Sequence, residues 1–196
     1  MVKLYLTEIS ALADPLDKPE LLEQVTEVRK QRILGMKNEK NRRQCFAAGL
    51  LLEKVLKEYG QDPKNIVIGK HGKPELEGIY FNLSHSDDMV ICAVSDKPVG
   101  CDVERLRQAP KGIATRYFSE KEQVYLEQFG GEDYDKEFFR LWTVKESYVK
   151  MTGEGMGLYR GGEEEKFCVS EMQIDGYLIT VCAEDETPVE VIEERG

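Results

Sequence analysis

The 196-residue chain lacks several features that would assign it to a class at once. No stretch approaches the ~18 consecutive apolar residues of a membrane helix. The N-terminus, "MVKLYLTEIS", carries Glu8 in its first turns and no small-residue cleavage site, so it does not read as a signal peptide. The cysteines, Cys45, Cys92, Cys101, Cys168 and Cys182, are odd in number, and no two are spaced as a metal knuckle. Most sit in apolar runs, where a free thiol behaves as a small hydrophobe. The expectation is a reducing cytoplasmic location, with no disulfide framework and no zinc site. Low-complexity linkers are missing too, and histidine is scarce, with His85 one of two.

An excess of positive charge is also lacking. Lysine and arginine number 27 against 37 acids, a net charge of −10, which makes the chain a poor candidate for nucleic-acid binding. The cations it has are concentrated. From Glu27 to Arg43, "EVRKQRILGMKNEKNRR", seven basic residues face only Glu27 and Glu39. Such an island suggests an anionic ligand of limited size, and reads equally as a solvated helix face.

The length fits one sizeable domain or two small ones, and apolar content of 41% is ordinary for a globular protein. Lys3 to Ile9 reads as an opening strand. Residues ~19–59 carry two helical patterns, the second closed by Gly60. Ile66–Ile68 is a short strand and "GKHGKPELEG" a loop punctuated by glycine and proline. Ile79–Leu83 and Met89–Ser95 form a strand pair around a turn, "SHSDD", and Pro98–Glu104 a further strand. Helices occupy ~111–152, one opened by a Ser119–Glu122 capping box, and residues 166–193 return to strands. Strands and helices in segregated runs indicate an α+β fold. "ICAVSDKPVGCDVE" (91–104) and "VCAEDETPVEVIEE" (181–194) align without gaps, an echo expected of two duplicated halves, 1–97 and 98–196.

Three stretches can carry chemistry. In "PVGCDVERL", Asp102 and Glu104 are two apart on a strand and leave one face, with Gly100 before them making room for a ligand. Adjacent carboxylates repel unless a cation sits between them, and oxygen-only ligation suits Mg²⁺. As a lone feature the pair reads equally as the wet face of a strand. In "LWTVKESYVK", Glu146 and Lys150 share a helix face, as an ordinary stabilising pair also would. In "FNLSHS", Ser84, His85 and Ser86 can grip a phosphate, or can be simple turn residues.

Together, Gly-x-Asp-x-Glu, about forty residues, and Trp-Thr-x-Lys-Glu-Ser-x-x-Lys, with Asn-Leu-Ser-His-Ser upstream, resemble the 4′-phosphopantetheinyl transferases. The resemblance is to the large two-repeat class typified by the surfactin-synthetase activator. It implies a pseudo-twofold pair of α+β halves with the active site in the cleft between them. It implies transfer of phosphopantetheine from coenzyme A to a serine of an apo acyl or peptidyl carrier protein, with Mg²⁺ bound and 3′,5′-ADP released. Fatty-acid, polyketide and peptide-synthetase carriers all present such a serine. Residue by residue, Asp102, Glu104 and Glu146 match the acids around the metal. Glu146 also matches the proposed base, and Lys150 a basic residue near the pyrophosphate. Arg29 and Arg32 match positions that meet the 3′-phosphate, with Arg43 near the same nucleotide. Lys73 matches a loop on the adenine side, and Ser84 and His85 a phosphate grip. Cys45 stands where relatives often carry a hydroxyl residue. The expected state is a monomer without membrane or nucleic-acid partners. The competing readings are a Mg²⁺-dependent hydrolase and a non-catalytic coenzyme A binder descended from a transferase.

Overall fold

The computed structural model describes residues 1–154 and 167–194. Strand β1 (Val2–Glu8) is followed by a short 3₁₀ turn at Pro19–Gln24 and by helices α1 (Glu27–Leu34) and α2 (Glu39–Glu58). Two-residue strands β2 (Val67–Ile68) and β3 (Pro74–Glu75) precede β4 (Tyr80–Ser86), β5 (Met89–Ser95) and β6 (Val99–Arg105). Then come α3 (Ile113–Tyr117), α4 (Glu120–Leu126), α5 (Gly131–Thr152), β7 (Cys168–Ile174), β8 (Tyr177–Ala183) and β9 (Val189–Glu193). The α+β expectation holds, and the Ser119–Glu122 capping box opens α4. Residue 166, where the last run of strands was expected to begin, lies outside the described residues.

Alternation along the strands builds four layers. One sheet runs β4-β5-β1-β9 and another β6-β8-β7. Leu4, Leu6, Ile91 and Ala93 of the first sheet meet Val99, Cys101, Val103, Ile179 and Val181 of the second in one core. The other face of the first sheet, Tyr5, Val90, Cys92 and Val94, is covered by Ala47, Leu51, Leu52 and Val55 of α2. The other face of the second sheet is covered by α5, with Val149 and Met151 against Cys182. The order is therefore helix, sheet, sheet, helix.

The chain passes from the first sheet to the second between β5 and β6, and back from the second to the first between β8 and β9. Ala93 and Ala183 both lie in the central core, while Cys92 and Cys182 both face a covering helix. With a division at 97/98, β9 falls in the later half by sequence but pairs in parallel with β1 of the earlier one.

Two expectations change. The turn expected at "SHSDD" is shorter, because β4 runs through Ser86 and only Asp87 and Asp88 bend, Asp87 with a φ of 51°. Ser84 and His85 are thus strand residues on opposite faces. The Gly100–Asp102–Glu104 face is not wet. Val99 to Val103 are all buried, because α5 packs on that side of β6. The missing side chain of Gly100 admits that helix rather than a ligand, since a Cβ there would stand 1.9 Å from the Ser147 carbonyl oxygen.

Candidate active site

The acids and Lys150 meet where β6, β4 and α5 come together. Asp102 is buried, 4% exposed. Its Oδ1 accepts hydrogen bonds from Lys150 Nζ at 2.6 Å and from Ser84 Oγ at 2.6 Å. Its Oδ2 is buried with no hydrogen-bond partner among the described residues. Glu104 Oε2 accepts from Ser86 Oγ at 2.7 Å and from Arg107 Nη1 at 3.1 Å. Glu146, half-buried on α5, has its pKa raised by burial and by the charges of Asp102 and Glu104, against the pull of Lys150. Burial opposes the charge on Lys150, yet Asp102, joined by Cys101 and Glu146, outweighs it and holds the ammonium above its usual range. Among the described residues, no three His, Cys, Asp or Glu side chains gather closely enough to form a metal cage of protein ligands alone.

Lys150 also lines a cavity of about 540 Å³. Arg29 and Arg32 of α1, Cys45 of α2, Lys73 and His85 face it, together with Val149 and Gly153 at the end of α5. Residues before 98 and residues after it therefore share one pocket. Arg29 reaches it by lying flat over α2, its Nη1 donating to the Cys45 carbonyl at 3.2 Å. Gly49 permits this, since a Cβ there would stand 2.4 Å from Arg29 Cδ. Lys73 Nζ donates to the Met151 carbonyl at 2.5 Å, and burial lowers its pKa. The crowded pocket, with Lys150 and Arg32 nearby, likewise lowers the pKa of His85 and favours a neutral ring.

The basic island is divided. Arg42 makes a two-oxygen pair with Asp14 and donates to the carbonyls of Met36 and Lys37, pinning the turn between α1 and α2. Lys40 pairs with Asp87, and Lys30 with Glu23. Arg29 and Arg32 are the arginines of the island that line the pocket.

Two expected ligand residues are placed elsewhere. Arg43 does not line the pocket. Its Nη2 donates to the carbonyls of Ile9 and Ser10 and so ties α2 to the end of β1. Ser84 is buried on the face of β4 that meets β6, and does not line the pocket either, whereas its neighbour His85 does. Two site residues escaped sequence reading. His71, held at a φ of 54° in the loop before β3, lines the pocket. Asn82 lines it too and accepts the Cys101 N–H at 3.1 Å. For Asn82 the signal was present, because polar residues recur at 82, 84 and 86 and alternate with Phe81 and Leu83 at the start of the run, the period of a strand.

Buried Asp102 beside partly buried Glu104, the α5 pair of Glu146 and Lys150, and a pocket walled by arginine, lysine and histidine form an arrangement suited to an anionic, phosphorylated ligand. Comparison with known proteins agrees. A family model described as ACPS, the 4′-phosphopantetheinyl transferase superfamily, matches residues 98–187. The 4′-phosphopantetheinyl transferase gsp of Aneurinibacillus migulanus is 32% identical over 81% of this chain and 76% of its own length. The 4′-phosphopantetheinyl transferase AcpT of Salmonella typhimurium is 32% identical over 72% of this chain and 77% of its own. The 4′-phosphopantetheinyl transferase Sfp of Bacillus subtilis is 38% identical over 46% of this chain and 40% of its own. The chain belongs to the 4′-phosphopantetheinyl transferase family. No helix among the described residues is long and apolar enough to cross a membrane.

Proposed function

We propose that the protein transfers 4′-phosphopantetheine from coenzyme A to a serine of an apo acyl or peptidyl carrier protein and releases 3′,5′-ADP, as a monomer of two similar α+β halves with the site between them. The observation that carries this reading is the buried Oδ2 of Asp102, without a hydrogen-bond partner among the described residues, on a carboxylate whose Oδ1 is bonded to a lysine that lines the cationic pocket. An unsatisfied buried carboxylate oxygen is costly, so its presence argues for a cationic ligand. The donor set fits Mg²⁺, which takes one or two carboxylates and completes its shell with substrate phosphate oxygens and water. Asp102 and Glu104 would hold it, with Glu146 beside them. Such an ion supplies charge neutralisation at a pyrophosphate and polarises the phosphorus.

The chain's own residues do the rest. Arg29 and Arg32 bind the 3′-phosphate, and Lys73 and His85 line the remainder of the nucleotide pocket. Glu146 accepts the proton of the attacking serine, for which its raised pKa suits it. Lys150, kept charged by Asp102, stabilises negative charge growing on the departing diphosphate oxygen. Incubation with coenzyme A, Mg²⁺ and an apo carrier tests the proposal, and the carrier should gain one phosphopantetheine by mass spectrometry. Free phosphopantetheine formed without carrier would indicate a hydrolase instead, and coenzyme A binding without turnover a binder.

A further inference from the structure

The edge of β4 meets β6 through side chains. Asn82 Oδ1 accepts the Cys101 N–H at 3.1 Å, Ser84 Oγ the Val103 N–H at 3.4 Å and Ser86 Oγ the Arg105 N–H at 3.1 Å, each across 19 residues of sequence. The two serines do more than accept. Ser84 donates its proton to Asp102 at 2.6 Å, and Ser86 donates its own to Glu104 at 2.7 Å. Each hydroxyl thus spans the backbone of β6 and the carboxylate of the preceding residue.

A serine hydroxyl has one proton and two lone pairs. At Ser84 the proton goes to Asp102, and the lone pairs accept from Val103 N–H and from Lys150 Nζ at 2.9 Å. Its hydrogen-bonding capacity is complete, and the residue is buried. Nothing remains for a phosphate oxygen. A carboxyl group, by contrast, needs outside support, because the terminal torsion of aspartate or glutamate is broad and soft.

We infer that Ser84 and Ser86 are positioning residues that hold the carboxylates of Asp102 and Glu104 in place for the cation, and that Ser84 does not grip the substrate phosphate. With Ser84 and Lys150 both on Oδ1, Asp102 presents the single oxygen Oδ2. With Ser86 and Arg107 both on Oε2, Glu104 is held in the same way. The inference rests on the proposed role of these two acids in binding a divalent ion.

Calorimetry on the full chain separates the possibilities, using coenzyme A without metal and then Mn²⁺ in the presence of coenzyme A. Wild type, Ser84→Ala, Ser86→Ala and Ser86→Thr are compared. Ser86→Ala and Ser84→Ala should weaken Mn²⁺ binding roughly 10-fold or more, as loss of a partner behind a metal ligand does. Both should bind coenzyme A without metal as wild type does. Ser86→Thr, which keeps the hydroxyl, should restore the metal affinity. A purely structural role would lower the melting temperature of Ser86→Ala and leave its Mn²⁺ affinity unchanged, which would overturn the inference. So would weaker metal-free coenzyme A binding by Ser84→Ala with unchanged Mn²⁺ affinity. Should Ser84→Ala fail to fold, the two Ser86 variants decide alone. If wild type itself takes up no Mn²⁺ in the presence of coenzyme A, the metal role of the acids falls and the inference with it. If wild type binds and the variants bind equally well, only the role of the serines falls.

Discussion

At the scale of single residues, the site joins charges that stabilise one another to charges that do not. Asp102 and Lys150 form the favourable pair, with side chains 6% and 27% exposed. Removing one partner of a buried pair leaves the other uncompensated. Asp102→Ala should therefore cost about 3 kcal/mol or more of stability, seen in chemical denaturation, as well as lowering transfer by roughly 10²-fold or more. Asp102→Asn, which can still accept from Lys150 and Ser84, should lose activity to a similar degree and much less stability. Equal stability for Asp102→Ala and wild type would contradict the pairing. Glu146 is the unfavourable member. Its pKa is raised by burial and by Asp102 and Glu104. For a group whose folded pKa lies above its unfolded one, the stabilisation is present below the unfolded pKa and is lost as pH rises through the folded pKa. At neutral pH an ionised Glu146 thus weighs against folding. Glu146→Gln should melt higher than wild type at pH 7, the gap should close as pH falls toward the ordinary glutamate range near ~4.3, and transfer should collapse. A lower melting temperature at pH 7 for Glu146→Gln would refute this account.

At the scale of elements, two glycines decide how close neighbours approach. Gly100 lets α5 lie on β6, and Gly49 lets the Arg29 stem lie on α2. The obstacles differ. At Gly100 an added Cβ meets the Ser147 carbonyl and the Met151 N, both backbone, while at Gly49 it meets Arg29 Cδ and Val25 Cγ1, both side chain. Gly100→Ala should therefore be severe, about 3 kcal/mol by overpacking. Gly49→Ala should fold and displace Arg29, raising KM for coenzyme A and shrinking its preference over dephospho-coenzyme A while kcat holds. A preference ratio identical to wild type would show that Arg29 does not read the 3′-phosphate. These glycines also mark what could be read in advance. Period two at Val99, Cys101 and Val103 revealed a strand with one core face, and the spacing of Glu146 and Lys150 revealed a shared helix face. The sequence could not say what covers the Gly100–Asp102–Glu104 face, because that depends on where α5 lands some forty residues later. Arg43 parts from Arg29 and Arg32 for a related reason. Arginines crowded along one stretch of sequence look alike, and only the packing of α2 against β1 separates the one that holds backbone carbonyls from those that line a pocket.

At the scale of the whole molecule, the sequence echo between 91–104 and 181–194 raises the question of a second site. The molecule does have a second cavity, of about 820 Å³ and thus larger than the first, at the far ends of β1 and β9. Size does not decide. Glu8, Asp87, Asp88, Asp175, Glu193 and Glu194 stand around it against Lys54 and Arg105, an acidic rim that repels a polyanion such as coenzyme A. The echo shows why the chemistry is missing as well. Offset by 90, the positions of Gly100, Asp102 and Glu104 hold Glu190, Ile192 and Glu194. Glu194 is paired with Lys54, and β9 is bonded backbone to backbone with β1, where β6 instead meets the hydroxyls of β4. The later copy therefore has neither the helix-admitting glycine nor a serine-held carboxylate pair. Calorimetric titration with coenzyme A and Mg²⁺, on protein sized by light scattering, should give one site per chain on a monomer. Two equivalent sites per chain would mean that the acidic cavity accepts the nucleotide after all, and an obligate oligomer with sites shared between chains would mean that β4, β6 and α5 of one molecule do not suffice.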